Sequence, residues 1–185
     1  MTKKLWRQEM IAQLKQQDPV LKMQTDQQLL EQLMTLKDYK EAKTIATYLS
    51  FDFEYNTSLV IDQAYKDGKR VLVPKIMSKG EMIFVPYDEN DLSLSSFGVR
   101  EPNSHQAILK NEIDLIHVPG LIFNHKGYRI GYGGGFYDRY LKDYEGATVA
   151  TIYQYQLREF DPESHDIAIR EVLIDETNDK RLSSY

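Results

Sequence analysis

Leu29, Leu30, Leu33, Met34 and Leu36 recur at steps of three and four, with Glu31, Gln32 and Thr35 between them. That spacing predicts a helix with one apolar stripe. Trp6, Met10, Ile11 and Leu14 make a similar stripe upstream, so the first forty residues read as two helices. Thr25 followed by Gln28 has the capping-box pattern and predicts a helix start at Thr25. The pattern then shortens. Thr44–Ser50 is a β-rich run, Ser58–Gly68 a helix stopped by Gly68, and Arg70–Pro74 a strand ended by its proline. Met82–Tyr87, Ala147–Tyr153 and Arg170–Ile174 are further strand candidates. Ile113–Gly120 is apolar almost throughout, as a central parallel strand should be. Strands alternating with helices predict an α/β fold: a single three-layer α/β/α domain over residues 1–185 with a mostly parallel central sheet, Rossmann-like, and two N-terminal helices. Such sheets bind ligands at the carboxyl ends of their strands.

Composition narrows the classes. A chain of 185 residues suits one domain, and a net charge of -5 gives no basic footprint, so no nucleic-acid partner is expected. The thirteen tyrosines are read as core packing rather than a base-stacking platform. The absence of cysteine excludes disulfides and thiolate metal sites. No apolar run approaches the roughly 20 residues of a membrane span, and no apolar stretch follows the charges of the first ten residues. A cytoplasmic, soluble monomer without a membrane partner is the expectation.

The chemistry concentrates after Ile113–Gly120, where "GYRIGYGGGFYDRYL" runs from Gly127 to Leu141. Four of the five residues Gly131–Gly135 are glycine. Bare backbone admits positive φ and close approach of a ligand to the amides. A helix start adds free N–H groups and a partial positive charge. Together they read as a phosphate cradle, supported by Arg129 beside it. Phe136, Tyr137, Tyr140, Leu141 and Tyr144 share one face of the helix that follows, and Asp138 lies off that face in its first turn. A carboxylate beside bound phosphate calls for a cation between them, and magnesium takes both kinds of oxygen. A tight turn with Asp138 as a simple cap is the plainer alternative. The spacing matches neither the P-loop nor the dinucleotide fingerprint. Lys3 and Arg7 project toward the apolar side of the first helix and need an anionic partner there. His117 reads as a satisfied core residue, His165 as a hydrogen-bonding spacer before Asp166, and Glu54, from its neighbours alone, as an acid at a helix entry ahead of Thr57.

The glycine segment resembles the signature of the 5-formyltetrahydrofolate cyclo-ligase family. Lys3 with Arg7, "YLSFDFEYNT" (Tyr48–Thr57), "VPGLIFN" (Val118–Asn124) and "HDIAIREVL" (His165–Leu173) resemble that family's other segments in order and spacing. The resemblance implies an ATP- and magnesium-dependent conversion of 5-formyltetrahydrofolate to 5,10-methenyltetrahydrofolate. It implies that Lys3, Arg7, Arg129, Ile130, Gly131, Tyr132, Gly133, Gly134, Gly135, Phe136 and Tyr137 bind ATP, with Arg129 and Tyr137 also catalytic. Glu54 would hydrogen-bond the pterin, Leu49, Phe51 and Tyr137 would wall the folate, and Asp138 with Asp166 would hold Mg2+. Asn124 stands where the family often has aspartate; Arg170 stands where many members have an acid, and this second departure implies a weaker or differently charged metal shell. Two other functions fit the layered fold: a sugar-phosphate isomerase or CoA-transferase relative, and a non-catalytic nucleotide- or folate-binding module. The first of these leaves Asp138 beside the cradle unexplained.

Overall fold

The computed structural model describes residues 2–96 and 98–176. The expected domain, 1–185, extends over 177–185, which lie outside the described residues. The chain opens with α1 (Lys3–Lys15), whose first turn is capped by the Thr2 hydroxyl, and α2 (Pro19–Thr35). The expected helix start at Thr25 is wrong. Asp18 accepts from the amides of Val20 and Leu21 at 2.9 and 3.0 Å, and Pro19 presets the first turn. That satisfies two orphan donors at once, so the helix starts earlier and Thr25 and Gln28 lie inside it. At Leu36 the backbone turns extended, and a third short helix, α3 (Lys37–Glu41), follows where the first forty residues read as two.

Then come β1 (Thr44–Ala46), α4 (Ser58–Lys66), β2 (Arg70–Ile76) and β3 (Met82–Pro86). Gly68 ends α4 at φ +73°, its amide donating to Tyr65 O while Lys69 N reaches Ala64 O, the left-handed C-terminal cap that glycine favours. The strand expected over 44–50 stops at Ala46, and β2 runs through Pro74 rather than ending there. Leu72 faces β1, where its carbonyl accepts from Thr47 N. Pro74 has the same facing but lies beyond the end of β1, so its missing N–H costs no ladder bond. The remaining elements are the hairpin β4 (Leu92–Leu94) with β5 (Arg100–Pro102), then β6 (Leu115–His117), the hairpin β7 (Ile122–Phe123) with β8 (Arg129–Ile130), α5 (Phe136–Leu141), β9 (Ala147–Ile152) and β10 (Glu171–Ile174).

The main sheet has the order β10-β9-β6-β1-β2-β3, parallel throughout except β3. Alternate residues serve opposite faces. Ile45, Val71, Leu115, Val149 and Leu173 pack under the layer of α1 to α4, and Ala46, Leu72, Ile116 and Ala150 under α5. The three layers are therefore unequal. The chain lays down β1, moves out to β2, and then crosses to β6 on the other side of β1. Strand order reverses there, and the crevice at the carboxyl ends of β1 and β6 is the place for a ligand.

One large ring sits at the centre of the thin layer's contacts. Phe84, in β3 and fully buried, meets Tyr140 edge-on at 5.0 Å and Tyr137 at 6.3 Å. Removing it empties the floor under α5. Phe84→Ala is expected to lower the unfolding free energy by about 3–5 kcal/mol in urea denaturation. A loss under about 1 kcal/mol would show that α5 is held by something else.

Candidate active site

At that crevice lies a cavity of about 530 Å³. Every residue assigned to ATP, folate or metal in the sequence reading lines it: Lys3, Arg7, Leu49, Phe51, Glu54, the whole run Arg129–Asp138, and Asp166. Three stretches meet there. One follows β1, one returns from the β7–β8 hairpin into the glycines, and the third joins α1 to the loop around Asp166.

The glycines are demanded for two separate reasons. Gly133 and Gly135 have φ of +105° and +69°, the region other residues avoid. Gly131 and Gly134 have ordinary backbone but no room: a Cβ would sit 2.5 Å from Arg129 Nη1 and 2.5 Å from the Phe136 ring, respectively. The loop's carbonyls are held from outside. Arg7 Nε donates to Gly131 O at 2.8 Å, and Arg139 Nη2 donates to Gly134 O at 2.8 Å. The amides of Gly133, Gly134 and Gly135 bond no acceptor among the described residues. Donors free and acceptors occupied is the arrangement an anion needs.

Arg129 lies beneath this loop and is 8% exposed. Its Nε has no hydrogen-bond partner, and it forms no ion pair among the described residues. The guanidinium stacks 5.3 Å over the Tyr137 ring, whose own hydroxyl is buried without a partner. Burial pulls the arginine below its ordinary pKa, against the opposing charge of Asp138, the Tyr137 hydroxyl and Asp166. A buried cation lacking an anion is costly unless a ligand completes it.

Lys3 differs. Its ammonium pairs with Glu163 at 2.7 Å, so α1 is tied to the loop 163–167. That loop also meets the glycine helix: Ile167 N donates to Asp138 Oδ1 at 3.1 Å, and Glu163 N to Asp166 Oδ2 at 2.8 Å. His165 Nε2 stands 3.5 Å from Asp166 Oδ1 and 3.4 Å from Glu163 Oε2. Asp138 and Asp166, distant in sequence, are thus brought to one corner. Among the described residues no group of three or more such side chains could hold a metal. An ion bound there would draw its other ligands from water and from bound phosphate, as magnesium does.

At the other end Glu54 is buried, and burial raises its pKa to about 7. The Phe51 amide (2.8 Å), the Tyr132 hydroxyl and the Lys22 charge oppose the rise. Phe51 stacks on Phe53 at 5.2 Å and stands 6.0 Å from Tyr132, and with Leu49 it gives this end an apolar wall. The carboxylate is therefore the polar handle of an otherwise flat, greasy slot.

Several lining residues escaped the sequence reading. Tyr48 fell inside a run read as strand, and β1 ends before it. Glu163 and Arg100 also line the cavity, and nothing in their neighbourhoods marks them out. Both departures from the family pattern look different in three dimensions. Asn124 Oδ1 accepts from Lys126 N and Tyr128 N, both at 3.0 Å, and its Nδ2 donates to Phe160 O at 3.1 Å. It closes the β7–β8 turn and does not line the cavity. Arg170 is exposed and donates to Glu145 O at 3.1 Å, away from the cavity, so the expected change in the metal corner's charge does not come from it. His117 is neutral core, as expected. Burial drops it to about 3, and its ring nitrogens meet the Thr47 and Thr151 hydroxyls at 2.9 Å each.

Comparison with known proteins points the same way. Residues 1–175 match the sequence profile of the 5-formyltetrahydrofolate cyclo-ligase family. A 5-formyltetrahydrofolate cyclo-ligase of Haemophilus influenzae is 32% identical over 160 residues, 82% of this chain and 86% of its own. The enzyme so named in Escherichia coli K12 is 32% identical over 132 residues, 69% of this chain and 72% of its own. The solved structure of a 5,10-methenyltetrahydrofolate synthetase from Aquifex aeolicus superposes with a TM-score of 0.82 at 24% identity, over 95% of this chain and 91% of that one. One from Mycoplasma pneumoniae gives 0.76 at 24% identity, over 94% and 98%. At that identity the two structures speak for the fold.

Proposed function

The chain belongs to the 5-formyltetrahydrofolate cyclo-ligase family, and we infer that it is the ATP-dependent ligase that closes 5-formyltetrahydrofolate to 5,10-methenyltetrahydrofolate, releasing ADP and phosphate. Membership sets aside the isomerase and CoA-transferase readings and the binding-module reading. The observation that supports the nucleotide end most is the buried, unpaired Arg129 under a loop of free amides. ATP phosphates supply the missing anion. Arg7, already bonded to Gly131 O, and Lys3, released from Glu163, add charge at the rim.

The formyl oxygen of the folate attacks the γ-phosphate and ADP leaves. N10 then attacks the activated formyl carbon, the ring closes, and phosphate departs with the former formyl oxygen. Such transfers depend on positioning and charge neutralisation more than on proton shuttling. Arg129 neutralises the transferred group, and the Tyr137 hydroxyl beside it, buried and unpartnered, orients it. Glu54 accepts from the donor pair of the 2-amino-4-oxo pterin ring, while Leu49, Phe51 and Tyr137 enclose the folate. The carboxylates of Asp138 and Asp166 fit Mg2+: both are hard oxygen donors, each with one oxygen fixed by a backbone amide. Bound there, the ion screens the phosphates from the carboxylates and draws charge from the leaving group.

Two outcomes test the two ends. A carboxyl group at about pKa 7 must ionise to accept from the pterin. The KM for 5-formyltetrahydrofolate should therefore climb as pH falls below 7, approaching about tenfold per pH unit. Glu54→Gln should raise that KM by roughly ten- to a hundredfold at pH 8 and erase the titration, with the KM for ATP little changed. Loss of ATP affinity instead would show Glu54 to be misassigned. At the metal corner, Asp138→Asn should abolish turnover at ordinary magnesium and recover part of it at high magnesium, and Asp166→Asn should do the same. An unchanged magnesium dependence in Asp138→Asn would make that carboxylate a helix cap only.

A further inference from the structure

Asp26 sits in the middle of α2 and is 1% exposed. A carboxylate so deep needs partners for both oxygens. The Tyr153 hydroxyl donates to Oδ1 at 2.6 Å, while the Lys22 ammonium at 2.7 Å and the Asn56 amide at 3.1 Å share Oδ2. Asn56 is two residues from Glu54. The network thus ties α2 and the end of β9 to the loop that carries the folate-binding carboxylate. No step of the reaction uses it.

Lys22 also faces a second cavity, of about 460 Å³, which it lines together with Glu54. Leu49, Phe51, Glu54, Val99 and Arg100 border both cavities, so Glu54 stands in the wall between them. The titratable groups acting on Glu54 come from four directions. Tyr48 follows β1, Tyr132 belongs to the glycine loop, Tyr137 to α5 and Lys22 to α2. Asp52 and Arg100 line the second cavity as well. The tyrosines are neutral, each raised by burial above its ordinary value. Arg100 is exposed. Of the two cations that line the second cavity, Lys22, with a side chain only 14% exposed, is the one water screens less.

We propose that Lys22, clamped by Asp26, is a positioning residue that keeps Glu54 ionised for the folate. Asp26 fixes the ammonium one helical turn along α2 and at the same time partly neutralises it, so the pair sets how strongly Glu54 resists its own burial. Lys22 is among the groups that pull Glu54 back down. This rests on the reading of Glu54 as the pterin's partner.

The test compares wild type with Lys22→Gln, Lys22→Arg and Asp26→Asn. The ionisation of Glu54 is read in the ligand-free protein by carboxyl ¹³C NMR, its signal assigned by its absence in Glu54→Gln. Folate and ATP KM values are taken over the same pH range. Lys22→Gln should move the Glu54 midpoint upward, and the pH limb of the folate KM should move up with it. Lys22→Arg should restore both. Asp26→Asn, which unmasks the lysine, should move them down. The KM for ATP should hold in all three. A merely structural network would shift Lys22→Gln and Asp26→Asn in the same direction, or move no midpoint, and either result overturns the proposal. If the ¹³C midpoint moves while the folate KM stays flat with pH, the Lys22 effect stands and the pterin reading of Glu54 fails. Should Asp26→Asn not fold, the two Lys22 variants still decide.

Discussion

A buried guanidinium with no ion-pair partner among the described residues is the constraint around which this site is built. Arg129 leaves the short β8 strand, passes under the glycine loop and stacks on Tyr137, so close that a Cβ at Gly131 would meet its Nη1 at 2.5 Å. In the free protein that charge is a cost. It persists because the surroundings fix it: β7 and β8 pair, Asn124 closes their turn, and Arg7 and Arg139 hold the loop carbonyls. The same bonds hold the glycine loop, whose amides at Gly133, Gly134 and Gly135 bond no acceptor among the described residues, at the cavity wall.

The fold delivers the other groups through a single topological event. Because strand order reverses between β1 and β6, the loop after β1 and the segment after β6 face each other across one crevice. The first carries Glu54, the second Arg129 and the glycines. A carboxylate raised to about 7 at one end and a buried cation at the other divide the cavity by charge. The formyl group of a bound folate would then lie toward the phosphates. Segments distant in sequence, α1 and the loop 163–167, close the glycine-loop side through Lys3 with Glu163 and Asp138 with Ile167.

Much of this was legible in the chain. The apolar stripe at Leu29, Leu30 and Leu33, the apolar run before the glycines and the stop at Gly68 each state a local physical demand, and the structure meets them. The failures have local causes. Asp18 with Pro19 outcompetes the capping pattern at Thr25, because two donors are satisfied there. Pro74 is tolerated in β2 because β1 has already ended. Arg170, compared with a family pattern, suggested an altered metal corner, yet it is on the surface, and Asn124, the other departure, closes a turn. Glu163, Arg100 and the Lys22–Asp26 pair could not be found from sequence. Their meaning lies in what the fold sets opposite them, and no spacing encodes that.

The measurement that tests this account most directly is the substitution Arg129→Met, followed by urea unfolding of the free protein and calorimetry with ATP. Methionine keeps the volume and removes the unpaired charge. The free protein should be as stable as wild type or more so, and ATP should bind roughly ten- to a hundredfold more weakly. A free protein that is strongly destabilised while ATP affinity is unchanged would mean that Arg129 is structural and that the anion is bound by other groups.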